Sequence, residues 1–530
     1  MKIKKVLVLI LLSASIRVGA GNYKPDPAID IIHYEFRIEL SDSNNVIHGI
    51  AVIKVLFKNA AGHITLDLKN ASGDGKGMQV KNVMVSGSAA VWSHSGDRLD
   101  ISLPETAPAG SSADISVTYS GIPRDGLIIS QNKFGERTFF SDNWPDRGSN
   151  YLPVVDHPSD KATVDFIITA PSQYRVVANG QLLEEYSPGK GMTVTHWQEN
   201  VPIPVKVMSF AAANFAIGNA GKAGDIQVWT WVFERNRSEG FRDYAVATEP
   251  LKYYSELAGP YPYEKLANVQ SKTIFGGLEN AGCIFYAENS VTGEGRDESL
   301  IAHEEAHQWF GNSVTEKDWH HIWLSEGFAT YLTNMYLQNK YGEERFRTAM
   351  KNDRNRVLRF DSGNTTAVID TTITGLMSLL NTDTYQKGGW VLHMLRNYIG
   401  DEAFKKGLRE YYSRFRDGNA LTSDFESVME TVSGRDLREF FYQWLYVKGC
   451  PALKIYTGNG EKEGTMKIFV EQTQPFIYSF SLEVIAEDQS GSRKIIIPVT
   501  GKKVSVEIAG SRDIKITPDP DVKLLFSEVK

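Results

Sequence analysis

Between His33 and Leu40 apolar and polar residues strictly alternate. Tyr34, Phe36, Ile38 and Leu40 interleave with His33, Glu35, Arg37 and Glu39, the two-residue period of a strand with one buried face. Ala51 to Phe57 and Ile64 to Leu68 read the same way, and turn clusters at Asn70 to Gly77 and Pro108 to Ser112 separate such runs. The pattern persists to about residue 215 and predicts an N-terminal all-β domain over residues 21–220. It changes near residue 240. Tyr244 to Leu257 is apolar at helical spacing, with Pro250 predicting a break, and Gly259-Pro260-Tyr261-Pro262 ends the segment. From about 295 to 449 the helical period dominates. There Ser423 and Glu426 predict a capping box for a helix through Val432, Gly434 predicts its stop, and Asp436 to Val447 predicts the next helix. Residues 221–449 therefore form a mostly helical domain. Beyond Gly449-Cys450-Pro451 the runs Met466 to Val470, Ser479 to Ile485, Lys494 to Val499 and Val504 to Ile508 predict a small β-sandwich over residues 450–530. The fold class that follows is multidomain α+β, as a chain of 530 residues requires, being too long for one core.

The first twenty residues fall outside this scheme. Lys2, Lys4 and Lys5 precede the apolar run Val6 to Leu12, and small residues lead to Val18-Gly19-Ala20, the layout of a signal peptide (1–20) cleaved after Ala20. The alternative, a membrane anchor, needs a longer apolar run than one interrupted at Arg17. No cysteine follows the run to carry a lipid, and no later stretch is long and apolar enough to span a bilayer. The expectation is an exported protein, periplasmic or extracellular, without stable membrane insertion. The segment carries four positive charges and no negative one, so its removal takes the net charge from −7 to −11. That balance argues against nucleic acid as a partner, since phosphate binding needs a basic surface. Cys283 and Cys450 lie far apart, lack the spacing of metal ligands and are expected as buried free thiols.

The candidate chemistry lies in His303-Glu304-Glu305-Ala306-His307. Positions 303 and 307 are one helical turn apart, so both imidazoles point to one side, as a zinc ion bound through nitrogen requires. A catalytic zinc needs a third protein ligand and one open position. Glu326, nineteen residues on at the predicted start of a second helix near Ser325, is the candidate. Glu304 points off the ligand axis yet stays near the metal, where a carboxylate can take a proton from water and return it to a leaving amine. Glu305 faces elsewhere and reads as structural or solvent-exposed. His320 and His321 face different ways on any helix and read as surface or supporting residues. With eleven histidines, chance yields such a motif in the order of once in a hundred chains, and an acid at the required later position divides that by roughly fifteen.

Together with the flanks, His307 to Asn312 and Trp323 to Tyr331 (WLSEGFATY), this constellation resembles the M1 family of gluzincin aminopeptidases. Gly259 to Leu266 (GPYPYEKL) and Asp436 to Pro451 (DLREFFYQWLYVKGCP) extend the resemblance over almost the whole chain beyond residue 20. It implies an N-terminal all-β saddle domain, a thermolysin-like mostly helical catalytic domain and a C-terminal β-sandwich. It also implies one zinc per chain, and as substrates peptides with a free N-terminus. Gly276-Gly277-Leu278-Glu279-Asn280 is similar to the family's exopeptidase motif, with Leu278 where Met is usual. By that resemblance Glu279 binds the substrate's α-amine and the glycines admit its backbone. Read alone, the segment is an ordinary Gly-Gly turn with a surface glutamate. Tyr385-Gln386-Lys387-Gly388 resembles the segment carrying a catalytic tyrosine, which implies that Tyr385 donates to the oxyanion. Outside that context a tyrosine there is a packing residue. Two departures stand out. The first-domain Glu or Gln of many relatives falls in Thr138 to Pro145 (TFFSDNWP), where Asp142 or Asn143 is the replacement. The large C-terminal helical domain of many relatives has no counterpart before Lys530, which suggests a more open cleft. Endopeptidase, epoxide hydrolase and non-catalytic scaffold are the alternative functions, the last requiring a broken motif that this chain does not have.

Overall fold

The computed structural model describes residues 24–363, 366–489 and 491–529; the expected signal peptide lies outside them. The strand read from His33 is the middle of an eight-stranded sheet. Ile29–Glu39 pairs in parallel with Lys161–Pro171 and antiparallel with Ile47–Phe57, and every other pairing in that sheet is antiparallel. Alternation becomes burial here, because Tyr34, Phe36 and Ile38 are inaccessible while Arg37 and Glu39 are exposed. A four-stranded sheet, in the order Arg175–Ala178, Phe210–Ala213, Arg137–Ser141, Leu127–Gln131, packs on it through Phe166 and Phe210, whose rings lie 5.7 Å apart.

Phe140 carries the core onward. Its ring meets Phe215, Phe233 and Phe285 edge-on at 5.7–6.3 Å, and all three belong to a five-stranded sheet. In that sheet Phe215–Ala223, Ile226–Phe233, Lys265–Ser271, Cys283–Ala287 and Gly277–Leu278 lie in this spatial order. The expected domain change at residue 220 thus falls inside a strand, Phe215–Ala223, whose hydrogen bonds tie it to the sheet that follows. The short strand Gly277–Leu278 forms the sheet's outer edge.

Helices cover this sheet, and their ends correct two expectations. As Pro250 leads one to expect, the Tyr244 to Leu257 run is not one unbroken helix: a 3₁₀ turn, Tyr244–Ala247, leads into a helix, Thr248–Ala258, whose first turn holds the proline. A proline is tolerated there because the first-turn N–H has no intrahelical partner to lose. The cap before Thr422–Ser433 is not the Ser423/Glu426 pair. The cap lies two residues earlier, at Leu421, and the Asp424 carboxylate accepts the Leu421 N–H at 2.7 Å. Gly434 ends it in the left-handed region (φ 67°), as the sequence requires. Asp436 to Val447 is not one α-helix but Arg438–Phe441 followed by a π-helical turn, Tyr442–Tyr446. The chain then forms two sheets. One runs Lys503–Ala509, Thr465–Gln472, Ala452–Asn459, Ser527–Glu528, and the other Gly491–Val499, Phe480–Asp488, Lys515–Pro518. Among the described residues no helix is long and apolar enough to cross a membrane.

Candidate metal centre and cleft

The first motif helix, Glu298–His307, presents His303 and His307 on one face, with their Nε2 atoms 3.2 Å apart. The second, Trp323–Tyr341, starts two residues before Ser325 and delivers Glu326 from its first turn. Glu326 Oε2 lies 3.6 Å from His303 Nε2 and 3.3 Å from His307 Nε2. Four ligands at the 2.0–2.1 Å bond lengths of zinc stand about 3.3 Å from one another in a tetrahedron, so this triangle has the size of three corners around one ion. Glu326 Oε2 is buried without a hydrogen-bond partner, an orphaned acceptor facing two ring nitrogens, as a ligand awaiting a cation would be. Among the described residues no other group of His, Cys, Asp and Glu is so arranged.

Support around the donors is specific. His307 Nδ1 lies 3.0 Å from Ser325 Oγ and 3.3 Å from the Phe310 carbonyl, contacts that aim Nε2 at the triangle. Burial raises the Glu326 carboxyl, but His307 and His303 outweigh it and hold the group well below the usual carboxylate range. Burial lowers both imidazoles; at His307 the Glu326 carboxylate reverses this and brings it up to about 9.

Glu304 sits beside the ligands, nearly inaccessible. Burial pushes its carboxyl well up, and Glu279 and Glu326 add to the push against His307. Space for it comes from Gly277, where a Cβ would fall 2.3 Å from Glu304 Oε1. The edge strand must therefore carry glycine to lie against this carboxylate. Glu279 follows on the same strand end. Its carbonyl accepts from Asn312 Nδ2 at 2.6 Å and Gln308 Nε2 at 2.9 Å, which pins the loop, while its Oε1 is buried and unpartnered. Tyr385 comes from a π-helical turn, Asp383–Lys387, its ring parallel to that of His303 at 6.1 Å. Burial, then Glu326, Glu279 and Glu304, raise its phenol well above the usual value, so it stays a donor.

A single cavity is lined by His303, Glu304, His307, Glu326, Glu279 and Tyr385, and by an apolar wall of Trp144, Phe275, Leu278 and Leu380 beside Gly277. Gly276 and Asn280 lie outside the lining; the Asn280 amide is buried and unpartnered. Neither first-domain candidate reaches the cavity. Asp142 is held by Arg147 and by Thr273 Oγ1 and the Ile274 N–H, both at 3.1 Å. Asn143 donates to the carbonyls of Val205 and Met208 and accepts from the Tyr151 hydroxyl. The first-domain residue in the lining is Trp144, wedged edge-on between Phe275 (6.0 Å) and Trp319 (5.7 Å). Sequence reasoning missed it, as it missed Gln308 and Asn312 behind Glu279. Glu305 is fully buried rather than exposed, and burial raises its carboxyl. His320 bonds Asp318 and the Ile373 carbonyl, and His321 bonds Thr422, away from the donors. Cys283 is buried and Cys450 half-buried, both free.

Residues 243–444 match the family model described as the Peptidase family M1 domain, and residues 31–205 that of the Peptidase M1 N-terminal domain. A probable aminopeptidase 2 of Sulfurisphaera tokodaii is 28% identical over 389 residues, 70% of this chain and 49% of the relative. The glutamyl aminopeptidase of Homo sapiens is 29% identical over 351 residues, 62% of this chain and 36% of the relative. The chain spans about half, or less, of the length of these curated relatives. The crystal structure of an M1 zinc metallopeptidase from Deinococcus radiodurans shares the fold, with a TM-score of 0.69 at 23% identity over 79% of this chain and 93% of that one.

Proposed function

Since the chain belongs to peptidase family M1, carrying both its N-terminal and its peptidase domain, we propose that it is a zinc-dependent aminopeptidase acting on peptides with a free N-terminus. The observation that carries the reading is the meeting, in one cavity, of the three metal donors, Glu304, Tyr385 and Glu279, whose Oε1 is buried and unpartnered. His303, His307 and Glu326 would hold the ion. Zinc bound there supplies Lewis acidity and brings the pKa of a water in its open position to about 7.

The remaining steps belong to the chain's own groups. Glu304 takes the proton of the attacking water and passes it to the leaving amine. Its dry position, with other carboxylates near, makes it a willing proton acceptor at neutral pH. Tyr385 donates its phenol proton in a hydrogen bond to the oxygen on which charge develops. The Glu279 carboxylate receives the α-ammonium, whose desolvation a facing carboxylate offsets. Gln308 and Asn312 fix where that carboxylate stands, and so which peptide bond reaches the donors. The free edge of Gly277–Leu278 offers the substrate backbone a strand to pair with. We further propose, on the sequence alone, that residues 1–20 direct export.

The test is a matched pair of peptides, one with a free and one with an acetylated N-terminus. The free peptide should lose its first residue and the acetylated one should resist. Equal cleavage of both would remove the role of Glu279 and turn the reading towards an endopeptidase.

A further inference from the structure

Tyr385 is carried by an unusual piece of backbone. In the turn Asp383–Lys387 the Lys387 N–H reaches the Thr382 carbonyl at 3.0 Å, an i→i+5 bond. Such π turns are rare, occur mostly at functional sites, and need external ties to stay in place. One tie is steric. A Cβ on Gly327 would fall 3.0 Å from Cα and C of Gly388, so the turn rests backbone to backbone on the second motif helix, one residue from Glu326.

The other tie is a buried ammonium. Lys387 is wholly inaccessible and takes no part in the cavity lining. Its Nζ donates to the Gly449 carbonyl at 2.8 Å and stands 3.8 Å from Asp383 Oδ1. Asp383 Oδ2 in turn accepts from Thr366 Oγ1 at 2.6 Å. Gly449 lies at the entrance to the C-terminal sheets, and its carbonyl accepts a second bond, at 3.1 Å, from the hydroxyl of Tyr478, in the loop between their strands Thr465–Gln472 and Phe480–Asp488. An ammonium is costly to bury, and an apolar side chain of similar length would fill the same space. What the lysine adds is a directed bond between the tyrosine's turn and a fixed carbonyl.

We infer that Lys387 is a positioning residue for Tyr385, holding its phenol at the oxyanion position through the Gly449 carbonyl that Tyr478 also grips. The inference rests on the role given to Tyr385 above. It makes the junction with the C-terminal sheets part of the catalytic apparatus, although no residue of those sheets lines the cavity.

The experiment is a double-mutant cycle of Lys387→Met with Tyr385→Phe on the zinc-loaded full chain, with kcat, KM and metal content measured separately. Lys387→Met alone should lower kcat about tenfold to a hundredfold, the effect of misplacing a reacting group by an ångström or less, with KM and metal content unchanged. In the Tyr385→Phe background, itself down about a hundredfold or more, it should change kcat by less than about twofold. Equal losses in both backgrounds would overturn the inference and leave the role of Tyr385 intact. A Tyr385→Phe protein as active as the parent would remove that role, and the inference with it. Tyr478→Phe, which deletes only the second donor to Gly449, should give a smaller fall in kcat that also vanishes in the Tyr385→Phe background. If Lys387→Met does not fold, an unchanged kcat in Tyr478→Phe overturns the inference.

Discussion

Two imidazoles and a carboxylate within 3.6 Å of one another aim three donor atoms at one point, and the triangle they form has the dimensions zinc requires. These residues were legible in the sequence because a helix repeats every 3.6 residues, so spacing alone puts 303 and 307 on one face. Trp144 was not. Which side chain of Thr138 to Pro145 faces the cavity depends on where that loop is tied, and Arg147, Val205 and Met208 tie Asp142 and Asn143 away from it. Polarity suggested the acid and the amide, and the tertiary ties chose the indole. Asp160 shows the same limit, for nothing local marks it as buried. Burial brings its carboxyl up to about 7, against a hydrogen bond from the Ile31 N–H. A carboxyl raised in the folded state contributes stability below its unfolded pKa of about 3.9, and this is lost as pH rises through about 7, on the order of 4 kcal/mol in all. Asp160→Asn should therefore raise the melting temperature at pH 8 and change it little at pH 4. A uniform shift at both pH values would contradict this.

Elements meet in the cleft because small residues let their backbones touch. The edge strand passes Glu304 at Gly277, and the tyrosine's turn meets the second motif helix at Gly327 and Gly388. Gly327→Ala should push that turn off the helix, lowering the melting temperature by a few degrees and kcat by about tenfold or more, since it separates Tyr385 from the metal donors. A variant with parental melting temperature and kcat would show that the contact does not set the geometry. Period and stop signals gave the existence of the strands and helices and the end at Gly434. Starts were less legible. Pro250 and Ser423 are residues whose meaning turns on a shift of one or two positions, and tertiary packing sets that register.

Over the whole molecule the cavity draws on more than the helical region. Trp144 arrives from the N-terminal domain and, by the inference above, Tyr385 is steadied from Gly449, at the junction with the C-terminal sheets. Domain order was legible from the change of period, whereas the seams were not, since Phe140 and Phe215 join sheets that lie apart in sequence. Charge at this scale bears on substrate choice. The lining holds three glutamates, Glu279, Glu304 and Glu326, and among the described residues no lysine or arginine. An acidic first residue would be desolvated there without a cation. Although a human glutamyl aminopeptidase is among the relatives, glutamyl amides should be cleaved at least about tenfold less efficiently than leucyl amides, measured as kcat/KM. A preference for the glutamyl amide would contradict this account of the cavity.

The most direct measurement strips the metal from the parent chain and from Glu304→Gln, then titrates each with zinc while following bound metal and hydrolysis of a free aminoacyl amide. Both proteins should take up one equivalent, and only the parent should recover turnover, in proportion to the zinc bound, with the variant lower by about a thousandfold. Full activity without metal, or a variant as fast as the parent, would contradict the central claim.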